Sequence, residues 1–145
     1  TYPSLQSAYL EMIAGMADIC EEVANAKMKD PFDAQDPTQE ESPFAKNSIA
    51  DFTNNIQGIL KMYQGDYSQN GAGLEDLVRT YNLSLDAELK TAHAAAIAAL
   101  QAISVPFGQA ISSQQSQVQT AMDKINALHT VLNGSLKSFV LQYVK

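Results

Sequence analysis

The chain has 145 residues, 46% of them hydrophobic and 17% charged, which is the size and composition of one globular domain with a real core. A formal net charge of −7 disfavours nucleic acid and anionic membrane surfaces, because both would repel the chain before contact. A single cysteine, Cys20, excludes an internal disulfide and any cysteine cluster for zinc or iron–sulfur.

In chain order, Leu5, Tyr9, Met12, Met16, Ile19 and Val23 recur at helical spacing and predict a first helix. Cys20 lies beside this stripe and is expected to be a buried, inert thiol. Asp30-Pro31 and Asp36-Pro37 are expected to break the helix and open a polar connection. A second helix is expected to open with Ser42 as N-cap and Pro43 at its first position, and to end near Gly65. A glycine-rich stretch, GDYSQNGAG, leads to a short helical segment, LEDLVRTY. A third long helix is expected from about Ser84 to Ile103, with Asp86 and Glu88 well placed in its first turns and an alanine-rich centre that permits close approach. After Pro106, Ile111, Val118, Ile125, Leu132 and Phe139 recur every seven residues, with Met122, Leu136 and Tyr143 alongside, which is a bundle seam.

These segments predict a single all-α domain over residues 1–145, an antiparallel four-helix-bundle-like fold with one short extra helix. No run reaches the roughly 18 apolar residues of a membrane span. Thr1 is not a usual start, and helical pattern runs almost from the first residue to Lys145. Both ends are therefore expected to be cut, processed or continuous with something larger.

The second helix carries short polar residues that are poor in helix interiors. At 100° per residue, Ile49, Phe52, Ile56, Ile59, Leu60 and Tyr63 share an apolar face, with Asn47 and Asn54 nearly opposite. Ser48, Asp51 and Asn55 form their own line along the border, where they should be half-buried. A half-buried carboxylate needs partners. Two readings are open: a structural network tying the helix to the 31–41 connection or to a neighbouring helix, or one wall of a polar site.

These residues also carry a resemblance. Glu41-Ser42, Asn47-Ser48, Asp51-Phe52, Asn55-Ile56 and Tyr63-x-Gly65, followed by GAGLEDLV and by Pro106-Phe107, resemble the pattern of the imelysin-like proteins, also known as the M75 peptidases. The resemblance runs from the first helix to about Leu132 and is to the second, C-terminal half of that family. It implies an all-helical fold, an exported bacterial protein, periplasmic or anchored to the outer membrane as a lipoprotein with its anchor outside this chain, and an association with iron uptake. It also implies a site between two halves, to which Glu41, Ser42, Asn47, Ser48, Asp51 and Asn55 would contribute. Iron or another divalent metal would belong to the complete protein.

The family signature Gly-x-His-x-x-Glu sets a histidine and a glutamate one helical turn apart, a spacing that presents both to one metal ion. Here His93 is followed three positions later by Ala96, and His129 by Leu132. The resemblance therefore implies that the signature comes from another polypeptide or is absent, and the partner expected is a signature-bearing first half or another copy of this chain. No catalytic residue is expected in this chain alone. Set against this binding module are a part of an M75-type metallopeptidase and a purely structural bundle.

Other candidates are weaker. His93 beside Leu89, Ile97 and Leu100, and His129 beside Met122 and Leu136, read as packing residues. Asp33, Asp36 and Glu40 read as a solvated acidic connection without the alternation of a calcium loop. Gly71 and Gly73 precede a helix but lack the strand and lysine of a phosphate cradle. The triplets Asn82-Leu83-Ser84 and Asn133-Gly134-Ser135 match a glycosylation pattern that arises readily by chance.

Overall fold

A computed structural model describes residues 2–66, 68–69 and 71–145. Thr1, and Tyr67 and Asn70 of the glycine-rich stretch, lie outside the described residues.

The first rod starts at α1 (Leu5–Glu22), where Ser4 and Ser7 cap each other's N–H groups at 3.1 Å. It continues through a π-helical turn, Val23–Met28, into α2 (Lys29–Ala34). Its buried line is Ile13, Met16, Ala17, Cys20 and Val23, rotated from the expected stripe so that Leu5 stays exposed. Asp30-Pro31 does not break this rod, contrary to the sequence expectation. Pro31 is buried in the first turn after the π segment, where the widened spiral removes the demand for its missing N–H. The rod stops at Gln35, in the left-handed region at φ 52°, just before Pro37.

α3 (Ser48–Gln64) buries Phe52, Ile56, Ile59 and Tyr63, the expected face, and ends on Gly65 at φ 71°. Each such side chain contributes about 1.5–3 kcal/mol on burial. Its start differs from expectation: residues 43–46 form a turn, and neither Ser42 nor Pro43 opens the helix. The Lys46 N–H closes onto the Ser42 carbonyl at 2.8 Å, while the Ser42 hydroxyl is drawn to Asp51. The hydroxyl that would have capped the helix is thus taken up by Asp51.

α4 (Leu74–Tyr81) is the short extra helix, and α5 (Leu83–Gln101) follows with the Asn82 side chain accepting the Leu85 N–H at 3.0 Å. α6 (Phe107–Ser113) is a short helix of its own. Gln114 leaves helical geometry there to bond both the N–H and the hydroxyl of Ser104, at 2.9 and 2.7 Å. The last rod is α7 (Gln115–Thr130), a π turn at Val131–Leu136, and α8 (Lys137–Tyr143). Ile111, Val118, Ile125, Leu132 and Phe139 are all buried, so the seven-residue seam runs from α6 into the core face of this rod.

Contacts between ends set the topology. Gln6 bonds the Val144 carbonyl, Asn25 and Asn126 exchange bonds at 2.9 and 3.1 Å, and Gln35 bonds the Ile111 carbonyl. The first and last rods are therefore antiparallel. Tyr63 meets Asp86 and His93 meets Ile56, so α3 and α5 are antiparallel too. α5 packs between α3 and α7. The all-α bundle expected from the sequence is the fold.

Candidate functional site

The connection from α2 to α3 lies where the first rod ends, α3 begins and α6 starts. Phe52 and Phe107 lock these last two together, edge to face with ring centroids 5.3 Å apart. Over that contact the chain from Glu40 to Asp51 folds back on itself.

The fold-back is held by short polar bonds. Ser48 is fully buried; its hydroxyl donates to Glu40 Oε2 at 2.6 Å and accepts the Ser42 N–H at 3.1 Å. The Ser42 hydroxyl donates to Asp51 Oδ2 at 2.6 Å, and Asn47 Nδ2 donates to Asp51 Oδ1 at 2.8 Å. Four of the six residues singled out in the sequence, Ser42, Asn47, Ser48 and Asp51, thus meet in one network. Glu41 stands at its edge, bonded by Lys27 at 2.8 Å, a contact that holds the lysine above its ordinary pKa. Asn55 is half-buried but makes no side-chain hydrogen bond among the described residues, so the structure does not bring it into the network.

Glu40 departs from the sequence expectation: it is not solvated with Asp33 and Asp36 but is 7% exposed. Asp33 does pair with Lys29 at the surface, and Asp36 caps the following turn, where the Thr38 hydroxyl and N–H hold its carboxyl below the usual range. Glu40 turns inward because the 42–46 turn brings Ser48 back beneath it, a contact eight residues away in sequence that no helical or strand period encodes.

Beside Glu40 opens a cleft of about 480 Å³ whose walls include Pro37, Pro43, Phe44, Pro106 and Gly108, with Lys46 on its lining. Among the described residues, neither Glu40 nor Asp51 has a lysine, arginine or histidine nitrogen within 4.0 Å. Both carboxylates are held by hydroxyl and amide donors alone.

A second polar cluster joins α3, α4 and α5. The Tyr63 hydroxyl donates to Asp86 Oδ1 at 3.1 Å; Arg79 and Lys90 reach Asp86 Oδ2 at 3.3 and 3.0 Å, and both also pair with Glu75. Burial, then the Asp86 charge, pushes the Tyr63 hydroxyl far above its ordinary pKa. Here two acids face two bases.

The histidines join neither cluster. Nε2 of His93, buried against α3, lies 3.0 Å from the Ile56 carbonyl, and burial lowers its pKa. His129 is half-buried on α7. No group of three or more His, Cys, Asp or Glu suited to a metal ion occurs among the described residues. Cys20 is buried, and desolvation pushes its thiol up to about 12.

Fold and site together define a helical-bundle module with a cleft floored by a buried carboxylate at one end. The model of the imelysin family, Peptidase M75, matches residues 3–133, and the chain belongs to the imelysin family. Iron-regulated protein A of Synechococcus elongatus is 30% identical over 143 residues, which span 96% of this chain and 40% of that protein. A crystal structure of an imelysin peptidase from Bacteroides ovatus is 31% identical, with a TM-score of 0.85 over 97% of this chain and 42% of that one. A structure described as an iron-regulated protein A precursor, from Parabacteroides distasonis, is 28% identical, with a TM-score of 0.84 over 92% of this chain and 41% of that one. The chain spans about two-fifths of the length of these relatives.

Proposed function

We propose that this chain is a binding module of an exported, iron-linked imelysin-type protein, and that the face from Glu40 to Asp51 is one wall of a site completed by a second polypeptide. The observation that carries the reading is the pair of carboxylates, Glu40 and Asp51, oriented by Ser48, Ser42 and Asn47 with no cation among the described residues. Asp51 is half-buried in the first turn of α3, where an acid is favoured, but the buried Glu40 is harder to account for by stability alone, because a desolvated charge without a counter-charge costs stability. Acids that meet their counter-charge in a partner make sense of the arrangement.

The link to iron is supported by the relatives described as iron-regulated protein A, and export by the one described as a precursor. No helix among the described residues is long and apolar enough to cross a membrane, and the proposed location, periplasmic or anchored by lipid to the outer membrane, rests on the family resemblance. The residues present do not make a metal site by themselves. A divalent ion would take most of its ligands from the completing surface, either a polypeptide bearing Gly-x-His-x-x-Glu or another copy of this chain. Peptide hydrolysis of the M75 type would need its metal ligands and general base from the same source.

The test is native mass spectrometry of the protein as isolated from its source, with metal analysis of the same sample. A second polypeptide with the histidine–glutamate spacing, or a second copy, bound to this chain is the expected result. A lone chain would favour the structural bundle instead.

A further inference from the structure

Among the described residues, only one of the two oxygens of Glu40 has a donor. Oε2 takes the Ser48 hydroxyl at 2.6 Å, whereas Oε1 takes none among the described residues and opens toward the cleft. Gly108 keeps it open: a Cβ at that position would lie 2.6 Å from Oε1. A side chain 7% exposed, aimed at a cavity and half-satisfied, is built to receive something.

We propose that the cleft takes the cationic side chain of a second polypeptide, an arginine or a lysine. Its charged head lies on Glu40 Oε1 and its aliphatic stem lies among Pro37, Pro43, Phe44 and Pro106. The inference rests on the reading of this face as a binding wall and names what that wall binds.

Three observations favour this occupant. A carboxylate oxygen left without a donor makes its strongest bonds to charged N–H donors, and guanidinium or ammonium supplies several at once. The walls named above are apolar, and Phe44 is fully exposed, at 101%. That suits a methylene stem ending in a charge, with the Phe44 ring free to lie against the cation. A bare metal ion would use neither feature, and a hard divalent ion would want six or more oxygen ligands where the cleft floor presents one free carboxylate oxygen. Lys46, on the same lining, has no carboxylate within 4.0 Å among the described residues. It is placed to meet a backbone carbonyl of the incoming chain, which a free small cation would not offer.

The experiment is an NMR titration of the ¹⁵N-labelled chain with N-acetyl-arginine amide and N-acetyl-lysine amide, using N-acetyl-norleucine amide as the neutral control and methylguanidinium as a head without stem or backbone. Saturable shifts of the Gly108, Gln109 and Lys46 amides with the two cationic amides, none with norleucine amide, and weaker binding of methylguanidinium are expected. Glu40→Gln should weaken binding at least about tenfold. Phe44→Ala, at a side chain that contributes nothing to the core, should weaken it several-fold in a chain that folds normally. Equal shifts from norleucine amide, no shifts at all, or binding indifferent to Glu40→Gln would overturn the proposal. Methylguanidinium binding as tightly as the arginine amide would overturn the polypeptide as its source. A partner that co-isolates with the Glu40→Gln chain as strongly as with the native one, but is lost from Asp51→Ala, would remove this inference and leave the binding-wall reading standing.

Discussion

Glu40 and Asp86 are almost equally buried, at 7% and 5% exposed, yet their surroundings are opposite. Asp86 is closed in by Tyr63, Arg79 and Lys90, with Glu75 balancing the second base. Glu40 and its neighbour Asp51 are held by serine and asparagine side chains, and one face of Glu40 opens on a cleft. The contrast separates a polar cluster that ties three helices together from one whose charge remains for another molecule to meet. Hydrogen bonds already separate them in part, since both oxygens of Asp86 have donors and, among the described residues, only Oε2 of Glu40 does. Charge balance separates them further.

The largest effect is expected where the cluster is closed. Asp86→Ala strips the buried Tyr63 hydroxyl of its acceptor and two bases of their acid, and should lower the unfolding free energy by about 2–3 kcal/mol. The figure sits at the low end for a broken buried pair because Arg79 and Lys90 keep access to water, with side chains 51% and 31% exposed. Urea denaturation checks it. Loss of well under 1 kcal/mol would mean that this cluster is not the tie between α3, α4 and α5.

Next in size is Ser48→Ala, which removes the one donor that Glu40 has among the described residues and should cost about 1–2 kcal/mol by the same assay. The combination Glu40→Gln with Ser48→Ala should cost less than Ser48→Ala alone, because the charge left without a donor is then gone. A purely structural network would instead lose more with each removal.

Smaller again is a pH effect that belongs to neither cluster. Burial lowers the His93 pKa below its ordinary 6.5. The unfolded chain therefore takes up this proton at a higher pH than the folded chain. The His93 contribution is fully present above pH 6.5 and shrinks as the pH falls below it. His93→Gln should flatten the decline in melting temperature between about pH 6.5 and 5. An unchanged slope would show that His93 is not the group responsible.

Much of this was legible in the sequence. The seven-residue seam from Ile111 to Phe139 and the apolar face of α3 are periodic, and periodicity survives any tertiary arrangement of regular helices. The same 100° geometry placed Ser48 and Asp51 on one line. What escaped depends on irregular backbone. The 42–46 turn, with Lys46 in the left-handed region at φ 53°, has no glycine to announce it, and it alone turns Glu40 inward. Pro31 looked like a helix breaker because the π turn that accommodates it leaves no mark in residue type. The closed cluster was half legible: Asp86 was seen as a favourable first-turn residue. That Tyr63, Arg79 and Lys90 converge on it follows from the packing of α3, α4 and α5, which spacing within one helix does not reveal.

The most direct test of the distinction between the two clusters is the denaturation midpoint of Glu40→Gln beside that of Asp86→Asn. A glutamine keeps an acceptor for Ser48 and removes a charge that the isolated chain does not balance, so Glu40→Gln should be as stable as the native chain or more so, while Asp86→Asn falls well below it. A Glu40→Gln chain destabilised as much as Asp86→Asn would contradict the account and make the Glu40 network a second structural tie.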